Sequence, residues 1–218
     1  MLSFSEENYL KAIYHIEKLQ SNGVSTNAVA EKMDTKASSV TDMLQKLAEK
    51  RLVIYKKYKG ALLSAKGKEI AISVIRKHRL WESFLVNKLN FSWDEVHDIA
   101  EQLEHIQSDE LINRLDAYLG FPKVDPHGDP IPDKDGNIAK QEKIKLSNLK
   151  ETQQGILVTI KDSSDDFLRY LDKKSISIGS TIKVIAIEPF DKSILVKIGK
   201  KELMITENVA NNLLVKEI

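Results

Sequence analysis

The stretch Ser92–Glu110, SWDEVHDIAEQLEHIQSDE, constrains this chain more than any other. Its spacing predicts a helix with Val96, Ile99, Ala100, Leu103 and Ile106 along one apolar face. His97, Glu101, Glu104 and His105 then fall on a neighbouring stripe, because steps of three, four, seven or eight residues return to one side of a helix. Two imidazoles and two carboxylates beside a buried seam are costly to desolvate unless a divalent cation holds them. The sequence has no cysteine, which excludes thiolate metal sites, disulfides and cysteine nucleophiles. The available ligands are imidazole and carboxylate. That set suits Mn(II) or Fe(II), with Zn(II), Co(II) or Ni(II) able to substitute in vitro.

Charge is unevenly distributed behind a net of only +1. Residues 1–80 carry 15 Lys and Arg against 8 Asp and Glu, and residues 81–150 carry 8 against 14. A basic first third beside an acidic middle fits a nucleic-acid face joined to a cation-binding region. No apolar run approaches the roughly 18–20 residues that cross a bilayer. The opening MLSFSEEN is acidic and lacks a signal-peptide core, which leads us to expect a cytoplasmic protein with no membrane partner.

The first third reads as three helices and a hairpin. Ser3–Lys18 has helical periodicity through Tyr9, Leu10, Ile13, Tyr14 and Ile16, with Ser5 as the expected cap. Ser25–Met33 is a short second helix, and a four-residue break leads into SSVTDMLQKLAEKRLV. Two short helices, a tight turn and a third helix make a helix-turn-helix. LVIYKKYKGALLSAKG then alternates and turns at Lys59–Gly60, as a β-hairpin does. Together these spell a winged helix, whose third helix enters the major groove while the wing meets phosphates. The candidate DNA contacts are Lys36, Ser38, Ser39, Thr41, Asp42 and Gln45 on the third helix, and Lys56, Lys57 and Lys59 on the wing.

Ser64 is placed to cap a long helix to about Leu89, on which His78 and Glu82 are one turn apart. Ser92 and Glu95 have the spacing of a capping box, and Ser108 starts a further helix that Gly120 ends. The segment GFPKVDPHGDPIPDKDGN holds four of the five prolines and reads as an irregular connection. From about Ile144 short apolar or alternating runs, punctuated near Gly179, Pro189–Lys192 and Gly199, predict a small barrel. The expected fold class is α+β: a winged helix-turn-helix (1–73), a helical metal-binding and dimerisation domain with its Pro-rich linker (74–140), and a small SH3-like β-barrel (141–218).

RKHRLWE, EVHDIAEQLEHIQSDEL and PHGDPIP, preceded by SSVTDMLQKL and YKKYKGALLSAKGK, resemble the DtxR/MntR family of metal-dependent transcriptional repressors. The resemblance runs from about Glu6 to Ile131 and extends more loosely into the last domain, where it implies an FeoA-type fold. It implies one ancillary metal site at His78, Glu82 and His97, and a regulatory site at Glu101, Glu104 and His105. At the position of Glu101 iron-responsive members typically carry cysteine and manganese-responsive members glutamate, which favours Mn(II) over Fe(II). The family's ligand from the first helix is Asp or Met; here it is Asn8, and Lys11 stands where manganese-type members use Glu. Asp125 and His127 match a Cys-x-His that adds ligands beside the helix Glu, here Glu82. Asp162 and Asp166 stand where the last domain returns ligands to the ancillary site.

The function implied is a homodimeric, metal-activated repressor of metal-homeostasis genes that reads a palindromic double-stranded operator. A carboxylate-bridged dimetal enzyme is the competing class. That fold needs Glu-x-x-His on two helices, and the sequence contains no such motif, nor HExxH, a P-loop or a nucleophile elbow.

Overall fold

The computed structural model describes residues 2–19, 23–56 and 59–218. Helix α1 (Phe4–Leu19) starts at a capping box: Glu6 N–H donates to Ser3 Oγ at 3.3 Å, and Ser3 N–H donates to the Glu6 carboxylate at 2.9 Å. The cap is thus Ser3 and not Ser5, because only Ser3 has a Glu three residues on to close the box. One seam of α1 buries Leu10 and Ile13 completely, flanked by Tyr9, Tyr14 and Ile16. Helix α2 (Thr26–Lys32) is capped by Ser25, and α3 (Ala37–Glu49) buries Val40, Leu44 and Leu47 at helical spacing.

Strands β1 (Val53–Lys56) and β2 (Gly60–Leu63) pair antiparallel with Tyr55 opposite Ala61. Val24 adds a third rung by exchanging both backbone bonds with Ala61, at 2.9 and 2.8 Å. Gly60 is needed here: its φ is 87°, and a Cβ would lie 2.6 Å from the Val24 carbonyl oxygen. The far end of α1 is tied to this hairpin, where Glu17 accepts from the Leu63 amide at 2.6 Å. Lys57, at the expected wing tip, lies outside the described residues.

Helix α4 (Ala65–Leu89) is capped by Ser64, whose hydroxyl accepts from Gly67 N–H at 3.0 Å. The helix expected over 92–110 is shorter and broken. The Ser92–Glu95 pair forms, with Ser92 N–H donating to Glu95 at 3.1 Å, but α5 spans only Val96–Leu103. The Ile106 amide closes a turn on the Leu103 carbonyl, and Ser108 starts α6 (Asp109–Tyr118). Glu104 and His105 therefore sit in a turn after α5. Both are buried there, although a straight helix would aim consecutive side chains about 100° apart.

The small SH3-like barrel expected at the end of the chain is a bent antiparallel sheet of six strands. They are β3 (Ile144–Lys145), β4 (Gln154–Ile160), β5 (Thr181–Ile187), β6 (Ile194–Ile198), β7 (Lys201–Ile205) and β8 (Leu213–Glu217), in the order β3-β8-β4-β5-β6-β7. Register shifts at Leu157/Thr159 and Val184/Ala186 bend it, as bulges do. Its core joins Leu157, Ile182, Val184, Val196, Leu213 and Val215 to Leu168 and Leu171 of α7 (Asp165–Lys174). A six-residue helix, α8 (Glu207–Asn212), precedes β8. Among the described residues no helix is long and apolar enough to cross a membrane.

The chain divides into two compact units that alternate along the sequence. One comprises Met1–His78, Glu101–Arg114 and Pro132–Asn137; the other comprises Arg79–Ala100, Leu115–Ile131 and Ile138–Ile218. In the second, the linker is seated on β4 at Gly128, where φ is 84° and a Cβ would lie 1.9 Å from the Val158 carbonyl oxygen. At Gly179, φ is 88° but a Cβ would meet nothing within 4 Å. We expect Gly179→Ala to cost about 1 kcal/mol and Gly128→Ala about 2–3 kcal/mol, since the second adds a clash to backbone strain. Denaturant titration followed by Trp93 fluorescence checks the order; equal costs would remove the seat from the argument.

Candidate metal centre

Helix α1 presents two acids that its own seam draws inward. Glu6, Leu10, Ile13 and Glu17 follow the three-and-four spacing of one face, so the face that packs also buries Glu6, to 1 % exposure. Its carboxylate receives Lys50 at 2.6 Å and Lys46 at 3.1 Å, both from the end of α3. Burial alone would push this carboxyl up; bonds from Lys50, the Ser3 amide and Lys46 outweigh it and hold its pKa at about 2. Glu7 is also buried, and both of its oxygens are used: His105 Nδ1 lies 2.6 Å from one and Gln107 donates to the other at 2.7 Å.

The regulatory residues expected from the sequence gather around this helix. Glu104 has no exposed surface; Lys11 Nζ lies 2.6 and 2.9 Å from its two oxygens, and His78 Nδ1 lies 2.6 Å from the second. The same ammonium donates to Glu101 at 2.9 Å. The His105 ring stacks on Phe4 with centroids 4.5 Å apart, and its Nε2 is 3.8 Å from Glu104. Lys77 is buried nearby, its pKa lowered by burial against the opposing pull of Glu7, Glu104 and Asp109. Asn8 lies three residues before Lys11, on the same side of α1. Its Oδ1 is buried with no hydrogen-bond partner among the described residues. An orphaned buried acceptor costs about 1–3 kcal/mol, and a cation bound beside it removes that cost. The oxygens of Glu7, Asn8, Glu101 and Glu104 with the His105 imidazole are a donor set that fits a hard or borderline divalent ion.

A second cluster forms within the other unit. The Glu82 carboxylate, 3 % exposed, stands 3.7 Å from His97 Nδ1 through one oxygen and 3.6 Å from His127 Nδ1 through the other. His78 is one turn earlier on α4. His127 Nε2 lies 2.9 Å from the Trp93 carbonyl, which fixes that nitrogen as the donor and aims Nδ1 at the carboxylates. Burial lowers the His127 pKa, but the bond and charge of Glu82 with the charge of Asp125 carry it up to about 9. Glu82, Asp125 and His127 offer ligand atoms within 4.8 Å of one another. Asp125 is nevertheless heavily engaged. Its Oδ1 accepts from the His127 and Asp129 amides at 2.8 and 3.0 Å, and Oδ2 faces Arg79 at 3.4 Å. Burial, then the charges of Glu82 and Asp129, raise its pKa to about 7. Asp162 shares with His97 an open cleft of about 600 Å³, while Asp166 faces solvent with its carboxylate 3.8 Å from Arg169. Asp162 is brought toward this region and Asp166 is not.

On α3, Lys36, Ser38, Ser39, Asp42 and Gln45 are exposed, and the half-buried Thr41 donates to the Ala37 carbonyl at 2.9 Å. Lys56 and Lys59 are exposed on the hairpin.

Three family models match the chain in succession. They are the iron dependent repressor N-terminal DNA binding domain over residues 1–61, the iron dependent repressor metal binding and dimerisation domain over 64–133, and the FeoA domain over 144–217. A solved manganese-dependent transcriptional repressor in complex with manganese is 36 % identical, with a TM-score of 0.86 over 98 % of this chain and 100 % of that one. The chain belongs to the DtxR/MntR family of metal-dependent repressors. The transcriptional regulator MntR of Oceanobacillus iheyensis is 34 % identical over 56 % of this chain and 81 % of its own length. The iron-dependent repressor IdeR of Mycobacterium tuberculosis is 34 % identical over 58 % of this chain. That match spans 54 % of IdeR, so the chain covers about half the length of such relatives.

Within this family setting, Glu6 and Lys77 are the residues that motif reading passes over. Two acids at a helix start look like ordinary partners of the helix dipole. Only the seam through Leu10 and Ile13 marks Glu6 as buried. Its ion pairs give a direct test. With a folded pKa of about 2 against an ordinary 4.5, ionised Glu6 stabilises the fold fully above pH 4.5 and loses its contribution as pH falls through 2. Because Lys46 and Lys50 are partly exposed, we expect Glu6→Gln to cost about 1–2 kcal/mol at pH 7. The gap to the parent, measured by denaturation, should close between pH 4.5 and pH 2.

Proposed function

We propose that this protein is a metal-responsive repressor whose DNA-binding helix is set by Mn(II). The single observation that carries the reading is the double role of α1. Glu6 grips the end of α3 through Lys46 and Lys50, while the next residue, Glu7, meets His105 and Asn8 beside it keeps a buried, unpartnered Oδ1 among the described residues. Residues that would hold the ion thus lie directly beside the residue that holds the recognition helix. Asn8, Glu101, Glu104 and His105, with Glu7 in reach, would form the regulatory site; His78, Glu82 and His97 would form the ancillary one, with His127, Asp125 and Asp162 as further donors. A bound ion would supply divalent charge to these residues, and it would favour one position of α1 over another only by its differential affinity for the two. Glu101 in place of a thiolate supports Mn(II) over Fe(II), and a manganese complex among the similar structures supports the same choice.

The DNA target in this reading is a palindromic operator bound by a homodimer, with α3 in the major groove and the hairpin lysines on phosphates. Ser38, Ser39 and Lys36 would fix register on the backbone, Gln45 and Asp42 would read base edges, and Lys56, Lys57 and Lys59 would supply much of the salt dependence.

Fluorescence anisotropy on an operator from this protein's own promoter region tests the proposal. Micromolar Mn(II) should tighten binding at least about tenfold over chelator-treated protein, equivalent to about 1.4 kcal/mol of coupling. His105→Ala should bind as the chelated protein does, with or without metal. Equal affinity of chelated and Mn(II)-loaded parent protein would sink the mechanism. Gln45→Ala should lower specificity by about 1–3 kcal/mol at one base position, whereas Lys59→Ala should weaken all sequences alike and flatten the salt slope.

A further inference from the structure

We infer that the Lys11 ammonium is a built-in cation that limits the Glu101–Glu104–His105 cluster to one divalent ion; this rests on the metal-responsive reading above. Lys11 is far from an ornament of the α1 surface. Its side chain is 13 % exposed, and its Nζ reaches both oxygens of the fully buried Glu104 and one oxygen of Glu101. Carboxylates bridge two metal ions by offering one oxygen to each. Here Glu101 and Glu104 already share a monovalent cation between them, the Lys11 ammonium of α1.

Charge counting leads to the same limit. Glu7, Glu101 and Glu104 contribute three negative charges, and Lys11 removes one. Lys77 is buried in the same neighbourhood and faces Glu7 and Glu104 more strongly than Asp109, so it can only lower the sum further. The negative charge that remains, two at most, is no more than one divalent ion neutralises. A second divalent ion would leave a buried surplus of positive charge with no carboxylate to meet it, which low-dielectric surroundings penalise heavily. Lys11 also accounts for how Glu104 is tolerated at zero exposure before any ion arrives: its negative charge is met by an ammonium that the chain itself carries.

The test counts Mn(II) on the full-length protein by isothermal titration calorimetry, with electron paramagnetic resonance as a second readout and circular dichroism to verify folding. Lys11→Glu should take up one more Mn(II) per protomer than the parent, and its spectrum should gain the features of two exchange-coupled ions. Lys11→Met, which removes charge without adding a ligand, should bind its first ion about tenfold tighter or more, because the ion no longer shares its carboxylates with a cation. Should Lys11→Glu fail to fold, Lys11→Met decides alone. Unchanged uptake in folded Lys11→Glu, or unchanged affinity in Lys11→Met, overturns the inference. Absence of Mn(II) binding by the parent, with Glu104→Gln and His105→Ala indistinguishable from it, would instead overturn the metal-responsive reading itself.

Discussion

A carboxylate with no exposed surface needs partners on both of its oxygens, and Glu104 is such a group. Meeting that demand takes Lys11 from α1 and His78 from α4, so three separate stretches of chain converge on one acid. Glu7 repeats the arrangement one step away, with His105 and Gln107 on its two oxygens. Breaking a buried ion pair by removing one partner typically costs about 3–5 kcal/mol. The same charge balance supports the proposed response of this cluster to a divalent cation.

The second cluster differs in kind. Around Glu82 the imidazoles of His97 and His127 approach its two oxygens at 3.7 and 3.6 Å. Asp125 beside them is bound by two backbone amides and an arginine and shapes the Asp-Pro-His-Gly turn, whatever else it does. His127 is oriented from behind by the Trp93 carbonyl and stacked on the Trp93 ring with centroids 6.0 Å apart. Such backing is what fixes a ligating histidine in one tautomer and one direction. The two clusters thus differ in build: one is a set of paired charges, and the other is a carboxylate faced by an imidazole oriented from behind.

Much of this was legible in the sequence where periodicity and caps act together. The seams of α1, α3 and α4, the hairpin, and the change to strands near Ile144 all follow from spacing and punctuation that local physics enforces. The structure departs from that reading at the end of α5. The apolar and polar stripes of Ser92–Glu110 continue past Leu103, yet the helix stops there and residues 104–106 turn toward the helix that Ser108 starts, as its start signal predicts. Asp166, matched to a family position, stands in the first turn of α7 with its carboxylate 3.8 Å from Arg169. Glu6 was hidden for a different reason: acids at a helix start have a ready surface explanation, and nothing local says that Lys46 and Lys50 will cover this one. Long-range charge pairing leaves no periodic trace.

Helix α1 is fastened near both ends, by Glu6 to α3 and by Glu17 to the amide of Leu63 in the hairpin. The two fastenings are eleven residues apart, about 16 Å along the helix axis. A rod held at two such points cannot pivot freely against the helix and hairpin it grips; it carries them with it. Any displacement imposed at Glu7 and Asn8 therefore arrives at α3 and at the hairpin as one movement of a stiff body, with little dissipated in bending between them. In the proposed reading, sensing and reading would need no relay of side-chain rearrangements, because a single helix would be at once the wall of the ion's chamber and the handle of the DNA-reading surface.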